Sequence, residues 1–244
     1  DVIIKAWTEY DSFTYDGQFI KIPHDVTVWP KPLQAPHPPF WLTGTSIESM
    51  RLAAEMDMMP ITTRLLGPEL MQSHLAALVH RRLELGKPID SLELGMQSIS
   101  HVAETDKEAN AQVDYARWQN RAGRALNTLA VNDGLVDVQP YEGELKTEEF
   151  LDRLDFGSPA TMIEKYKSAA SMGVTHVSNW MMFGGLEHEK IMRSIRLMGE
   201  EVIPALRDVH PPTDLPFELA KLPRPSSETL QASSPGLAPS DVPT

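Results

Sequence analysis

The stretch Val28-Trp-Pro-Lys-Pro-Leu-Gln-Ala-Pro-His-Pro-Pro-Phe-Trp-Leu-Thr-Gly-Thr-Ser-Ile-Glu-Ser-Met-Arg-Leu-Ala-Ala54 decides how the rest of the chain is read. Prolines 30, 32, 36, 38 and 39 stiffen the approach. Phe40, Trp41, Leu42 and Thr43 then form a short aromatic and β-branched run, the pattern of a strand buried in a sheet. Gly44 breaks that run. Thr45 or Ser46 supplies a helix cap, Glu48 and Ser49 fall in the first turn, and Ile47, Met50, Ala53 and Ala54 recur at the helical period. One strand, one glycine turn and one helix start are therefore expected between residues 40 and 54.

A helix start of this kind gathers unpaired N–H groups and the positive end of the helix dipole, so it suits a phosphate. Ordinary capping by Thr45 and Ser46 accounts for the same residues, and spacing alone does not separate the two.

Upstream, residues 1–10 look like the last turns of a helix with Ile3, Ile4 and Trp7 on one face and nothing to pack against. Residues 13–22 carry Asp16-Gly17 between two β-rich runs, a hairpin signal. Downstream, a strand is expected from Asp57 to Thr63, then a helix opened by Gly67-Pro68 and closed by Gly86. Further on come a strand at 92–102, a long helix capped by Asp106 and running to Asn127, and a turn at Asn132-Asp133-Gly134. Residues 135–156 read as a surface insertion with one short helix around 148–154. Ser158-Pro159 opens a helix ending at Gly173, residues 174–182 form a strand, flexible Gly184-Gly185 follows, and a last helix spans 187–207. Strand alternating with helix argues an α/β fold built on a parallel sheet.

The 244 residues, 41% of them hydrophobic, suffice for one sizeable core. A net charge of −12 offers no basic surface for nucleic acid or anionic lipid, and the absence of cysteine excludes disulfides and thiolate chemistry. No apolar run reaches the roughly 20 residues that span a bilayer, and no signal peptide opens the chain, so a cytoplasmic protein is expected with neither nucleic-acid nor membrane partners.

The opening stretch resembles the bacterial luciferase-like flavin-dependent monooxygenases, whose members show a tryptophan, a Pro-Lys-Pro-Leu-Gln run, paired prolines and a Gly-Thr-Ser turn before an alanine-rich helix. Trp29 to Ala54 follows that wording, and a second block agrees: Gly157-Ser158-Pro159, Gly173-Val174-Thr175-His176-Val177, Phe183-Gly184-Gly185-Leu186, His188-Glu189-Lys190, Arg193-Ser194 and Glu200-Glu201-Val202-Ile203-Pro204. The resemblance implies a (β/α)8 TIM barrel. Such a barrel usually takes about 250 residues, so residues 1–209 are expected to hold only its C-terminal half, strands five to eight. Residues 210–244, rich in Pro and Ser, are expected to be a disordered tail.

The resemblance further implies that Gly44, Thr45, Ser46 and Ser49 grip the phosphate of FMN. The FMN would arrive reduced from a separate flavin reductase, and O2 would oxidise a small apolar aldehyde, ketone or hydrocarbon. An F420-dependent oxidoreductase is the alternative, a non-catalytic truncated chain is a third reading, and a homo-oligomer is expected. The catalytic residues are unknown, because the proton-handling histidine of the family resembles one on an early strand that this chain lacks.

Other residues at the expected strand ends are weighed in the same way. Arg64 beside a helix start reads as a solvated charge, with phosphate pairing as the alternative. His101, at the end of the third strand, reads as a half-buried core histidine rather than a proton carrier. His188 with Glu187 and Glu189 does not form a metal site, because neighbours on a helix point in different directions. Met50, Met162 and Met198 are expected in the core.

Overall fold

The structure, a computed structural model, describes residues 1–225. It comprises two compact units, Asp1–Phe40 and a larger one beginning at Trp41.

In the first unit, helix α1 (Val2–Thr8) precedes a hairpin of β1 (Phe13–Asp16) and β2 (Lys21–Val26). The helix does have something to pack on: Trp7 stacks on Phe40 at 5.3 Å and 16°, and His37 tilts against Phe40 at 4.9 Å. Lys31 anchors the helix end by donating to the Ala6 and Glu9 carbonyls. The hairpin forms, but not as a two-residue turn, since Asp16 pairs with Lys21 and residues 17–20 make the loop. Phe40 belongs to this unit and not to a strand.

The second unit is an α/β layer structure. Its strands are β3 (Trp41–Thr43), β4 (Met59–Thr63), β5 (Gly95–Val102), β8 (Asp155–Gly157) and β9 (His176–Trp180), all paired in parallel. Between β5 and β8 a small antiparallel pair, β6 (Val131–Asn132) and β7 (Leu135–Val136), closes around the expected Asn132-Asp133-Gly134 turn. The helices are α2 (Ile47–Met56), α3 (Pro68–Glu84), α4 (Asp106–Asn110), α5 (Val113–Asn127), α6 (Thr147–Asp152), α7 (Pro159–Ser171) and α8 (His188–Leu197). After α8 come a π-helical turn (Met198–Val202), a single turn α9 (Ile203–Ala205) and α10 (Leu215–Leu219).

Strand β5 organises the sheet. Gly95 to Gln97 pair with Ile61 to Thr63, Gly95 to Ile99 pair with His176 to Trp180, and Ser100 to Val102 pair with Asp155 to Gly157. Residues paired across parallel strands share a face, so Leu42, Pro60, Thr62, Met96 and Val177 face one way. That side is covered by helices. The stripe Ile47, Met50, Ala53 and Ala54, at most 1% exposed, joins Leu75, Leu78, Val79, Leu94 and Met96 in one cluster. Each large side chain buried there contributes roughly 1.5–3 kcal/mol. The opposite face, carrying Trp41, Thr43, Gln97, His176, Ser178 and Trp180, is exposed. Among the described residues, β3 pairs only with β4 and β9 only with β5, so the sheet is open at both edges.

Several expectations are corrected. The long helix from Asp106 is two, broken at 111–112. Its cap is Thr105, because the Asp106 carboxylate is engaged elsewhere, accepting from Ser158 N–H at 2.7 Å and the Thr161 hydroxyl at 3.0 Å. Residues 135–156 are not wholly a surface insertion, since Phe150, Leu154 and Phe156 are at most 3% exposed and β8 joins the sheet. The tail expected from residue 210 is ordered in its first part. In α10, Leu219 is 1% exposed, and Leu215 and Ala220 pack on the α2–α3 cluster. Those three apolar side chains outweigh the Pro-rich composition around them. The remainder of the expected tail, 226–244, lies outside the described residues. No helix among the described residues is long and apolar enough to cross a membrane.

Candidate functional site

Parallel strands send their C-terminal ends to one side, and two features gather there. The first is the glycine turn after β3. The Gly44 N–H donates to the Ile61 carbonyl at 3.0 Å, which ties the turn to β4. A Cβ at position 44 would overlap the Cβ and hydroxyl of Ser49, so only glycine permits this close approach. Ser46, not Thr45, is the cap of α2: its Oγ accepts from Ser49 N–H at 3.1 Å and lies 3.1 Å from Ser49 Oγ. The turn thus brings two hydroxyls together at the helix start, while Thr45 is exposed.

Thr45 contributes its backbone instead. Its carbonyl bonds the His74 ring, whose Nδ1 lies 3.1 Å from the Thr62 hydroxyl. His74 is 1% exposed on α3, and burial pushes its pKa down against the opposing pull of the Thr45 carbonyl. A neutral ring that donates to Thr45 and accepts from Thr62 satisfies both nitrogens, and it pins the turn to α3 and β4. Sequence reading passed over His74. The available signal was its position in an otherwise apolar stripe with Leu70, Met71, Leu75 and Leu78, where a polar residue needs a partner.

The second feature is a cavity of about 340 Å³. It is lined by Leu65, Leu66 and Leu70 beyond β4, Gln97 and Ile99 of β5, and Trp180 at the end of β9. Arg117, Asn120, Gly123 and Arg124 of α5, with Tyr141, Glu144, Phe150 and Arg153, complete the lining. The helix break at 111–112 sets α5 along this wall. Glu144 is held by Arg121 through two bonds of 2.6 and 2.7 Å, and Arg117 lies 3.6 Å away. The Arg121 bonds, opposed by burial, hold the Glu144 carboxyl below its usual range. Arg124 lies 4.2 Å from the Tyr141 ring centroid, and the Tyr141 hydroxyl donates to Asn120. Gly44, Thr45, Ser46 and Ser49 do not line the cavity.

Beneath the cavity the charges are structural. Arg64 is not a solvated cation: its Nε lies 2.9 Å from Asp155 Oδ1, with the Asp155 side chain 0% and that of Arg64 14% exposed. The contact is close but not aligned as a hydrogen bond. Lys165 donates to the carbonyls on either side of Asp155, those of Leu154 and Phe156. His101 is 3% exposed between Phe156 and Phe183, and burial, then Lys190, brings its pKa down to about 4. It is a core histidine, as expected, and lies outside the cavity wall. On the helix-covered side Asn179 Oδ1 accepts from both Ser100 and Tyr166 at 2.6 Å. Gly184 is not a flexible joint, because its N–H donates to Gln119 Oε1 at 3.1 Å and the space a Cβ would take is filled by the Tyr115 backbone. Met50, Met162 and Met198 are buried, as expected. No group of three or more metal-ligating side chains occurs among the described residues.

A family model described as luciferase-like monooxygenase matches residues 1–176. A curated relative, the uncharacterized protein y4vJ of Sinorhizobium fredii, is 22% identical over 212 residues, covering 85% of this chain and 60% of the relative. Among solved structures, the oxygenating constituent of 3,6-diketocamphane monooxygenase from Pseudomonas putida, in complex with FMN, superposes with a TM-score of 0.56 at 21% identity. That match covers 84% of this chain and 60% of the other. An F420-dependent secondary alcohol dehydrogenase in complex with an F420-acetone adduct superposes at 0.63 and 18% identity, over 85% of this chain and 59% of the other. The chain spans about three-fifths of the length of these relatives.

Proposed function

The chain belongs to the luciferase-like monooxygenase family, and from that membership we propose that it serves a flavin-dependent oxidation in which the Gly44 turn grips the cofactor phosphate and the neighbouring cavity receives substrate. The observation that carries this reading is the turn itself. A position with no room for a Cβ sets the Ser46 and Ser49 hydroxyls 3.1 Å apart at the start of a ten-residue helix, on the same side of the sheet as the cavity. That donor set suits a phosphate. Gly44 would give backbone access, Ser46 and Ser49 would supply hydroxyls, and Thr45, held by His74, would fix the turn.

When bound, reduced FMN supplies two electrons, so that one atom of O2 enters the substrate and the other leaves as water. The residues here orient and exclude water: Leu65, Ile99, Phe150 and Trp180 give the cavity an apolar wall suited to an apolar carbonyl compound or hydrocarbon. F420 is the second reading, favoured by the likeness to the F420-dependent dehydrogenase. A reductase as FMN source, O2 as co-substrate and a homo-oligomeric state belong to the FMN reading.

Ser46→Glu should abolish FMN binding by setting a like charge where the phosphate would sit. Ser46→Ala should weaken it by about 1 kcal/mol through one lost hydrogen bond. Ser46→Asp keeps a capping oxygen for Ser49 N–H and isolates the charge effect from loss of the cap. Flavin titration of the three variants decides, and unchanged affinity in the Glu and Asp variants would remove the turn from consideration. Oxygen uptake with reduced FMN, set against reduction of F420, separates the two cofactors.

A further inference from the structure

We infer that the cavity selects a substrate that carries a carboxylate on an otherwise apolar body. This rests on the reading of the cavity as the substrate site, and it adds the charge of what enters.

The wall holds three arginines, Arg117, Arg124 and Arg153, against one carboxylate, Glu144, in a chain whose net charge is −12. The local sign is therefore opposite to that of the molecule. Two of the arginines have structural duties: Arg117 donates to the Leu145 carbonyl at 2.9 Å and shares Glu144 with Arg121, while Arg124 covers the Tyr141 ring. Arg153 differs. It is half-buried, and among the described residues its hydrogen-bond partner is a neutral carbonyl, that of Leu65, at 2.8 Å. A guanidinium withdrawn from water without a carboxylate has lost hydration and gained only one neutral acceptor. It still has donors in a planar fork that matches a carboxylate in two parallel bonds. Leu65, Phe150, Ile99 and Trp180 line the same cavity. An amphipathic anion answers both parts of this wall. A neutral apolar molecule would instead leave Arg153 under-partnered in a drier site.

The test uses the full chain, with decanoate and decanol as probes of matched apolar length, read by calorimetry. Decanoate should bind at least tenfold tighter than decanol at 20 mM salt, and raising the salt to 500 mM should narrow that gap. Arg153→Met should reduce the preference to within about twofold, chiefly by weakening decanoate, and Arg153→Lys should retain part of it. Equal affinity for the two probes in the unaltered chain overturns the proposal, as does a preference that survives Arg153→Met. The salt comparison needs no variant and stands if Arg153→Met fails to fold. FMN is titrated alongside. If FMN displaces decanoate and loses as much affinity in Arg153→Met, the anion is the cofactor's own and the substrate assignment falls. If the decanoate preference holds while neither FMN nor F420 binds, the flavin reading fails and the carboxylate selectivity stands.

Discussion

Replacing Arg64 with Met is expected to destabilise the protein by about 3–5 kcal/mol, because it strands the Asp155 carboxylate at 0% exposure with no cation at 2.9 Å. The cost should depend on pH in a defined direction. Burial raises the Asp155 pKa above its ordinary 3.8, and Arg64 is the main influence opposing that rise. An acid whose folded pKa is raised contributes stability that is fully present below its unfolded value and is lost as pH rises through the folded value. Removing Arg64 raises the folded value further. The deficit of Arg64→Met relative to the unaltered protein should therefore be smallest in acid and grow as pH rises above 3.8. Asp155→Asn in the Arg64→Met background should recover most of the loss at neutral pH. Urea titrations at several pH values measure all three, and a pH-independent deficit below about 1 kcal/mol would show that the pair contributes nothing of this kind.

Gly184→Ala is expected to cost about 2–4 kcal/mol. Its φ of +57° is unfavourable to any side chain, at about 1–2 kcal/mol. The added Cβ would also overlap the Tyr115 carbonyl oxygen. That oxygen cannot yield easily, since it is backbone of α5, whose Val113 and Ala116 are locked into the core with Phe183 and Leu186. Gly185 is the internal comparison. Its φ of +79° is similar, but nothing lies within 4 Å of its Cβ position, so Gly185→Ala should cost only about 1–2 kcal/mol. Thermal melts should separate the pair by several degrees, at about 2–4 °C per kcal/mol. Equal shifts would mean that the approach to Tyr115 relaxes freely. The Gly184 variant should also disturb the cavity, because Gln119, which accepts its N–H, lines that wall.

How much of this was legible in the sequence depends on the range of the physics involved. The buried face of helix α2 was readable, since Ile47, Met50, Ala53 and Ala54 recur at 3.6 and nothing long-range contradicts them. The Gly44 turn was equally local, but the choice of Ser46 over Thr45 as the cap was not decided by the sequence. Strand β8 was not readable: three residues, one of them Asp155, carry no period, and that aspartate is tolerable in the core only because Arg64 reaches it from 91 positions away in the chain. The break between α4 and α5 was hidden for the same reason, because Asp106 serves Ser158 and Thr161 some fifty residues on. The cavity was invisible because its walls come from α5, the segment after it and the ends of β4, β5 and β9. Only the aromatic strand end at Trp180 hinted at one side. The family resemblance singled out the Gly44 turn, which does lie at the C-terminal end of a strand, but no motif pointed to Arg153 or His74.

The open face of the sheet has an optical consequence. Trp41 stands at the start of β3, 5.9 Å from the His176 ring, whereas Trp180 stands at the end of β9 in the cavity wall with 41% of its surface in water. Two indoles on one surface thus report from opposite ends of the strands. A molecule entering the cavity would strip water from Trp180 and shift its emission to shorter wavelength, while Trp41 and the three other tryptophans, none of which lines the cavity, would supply an unshifted background.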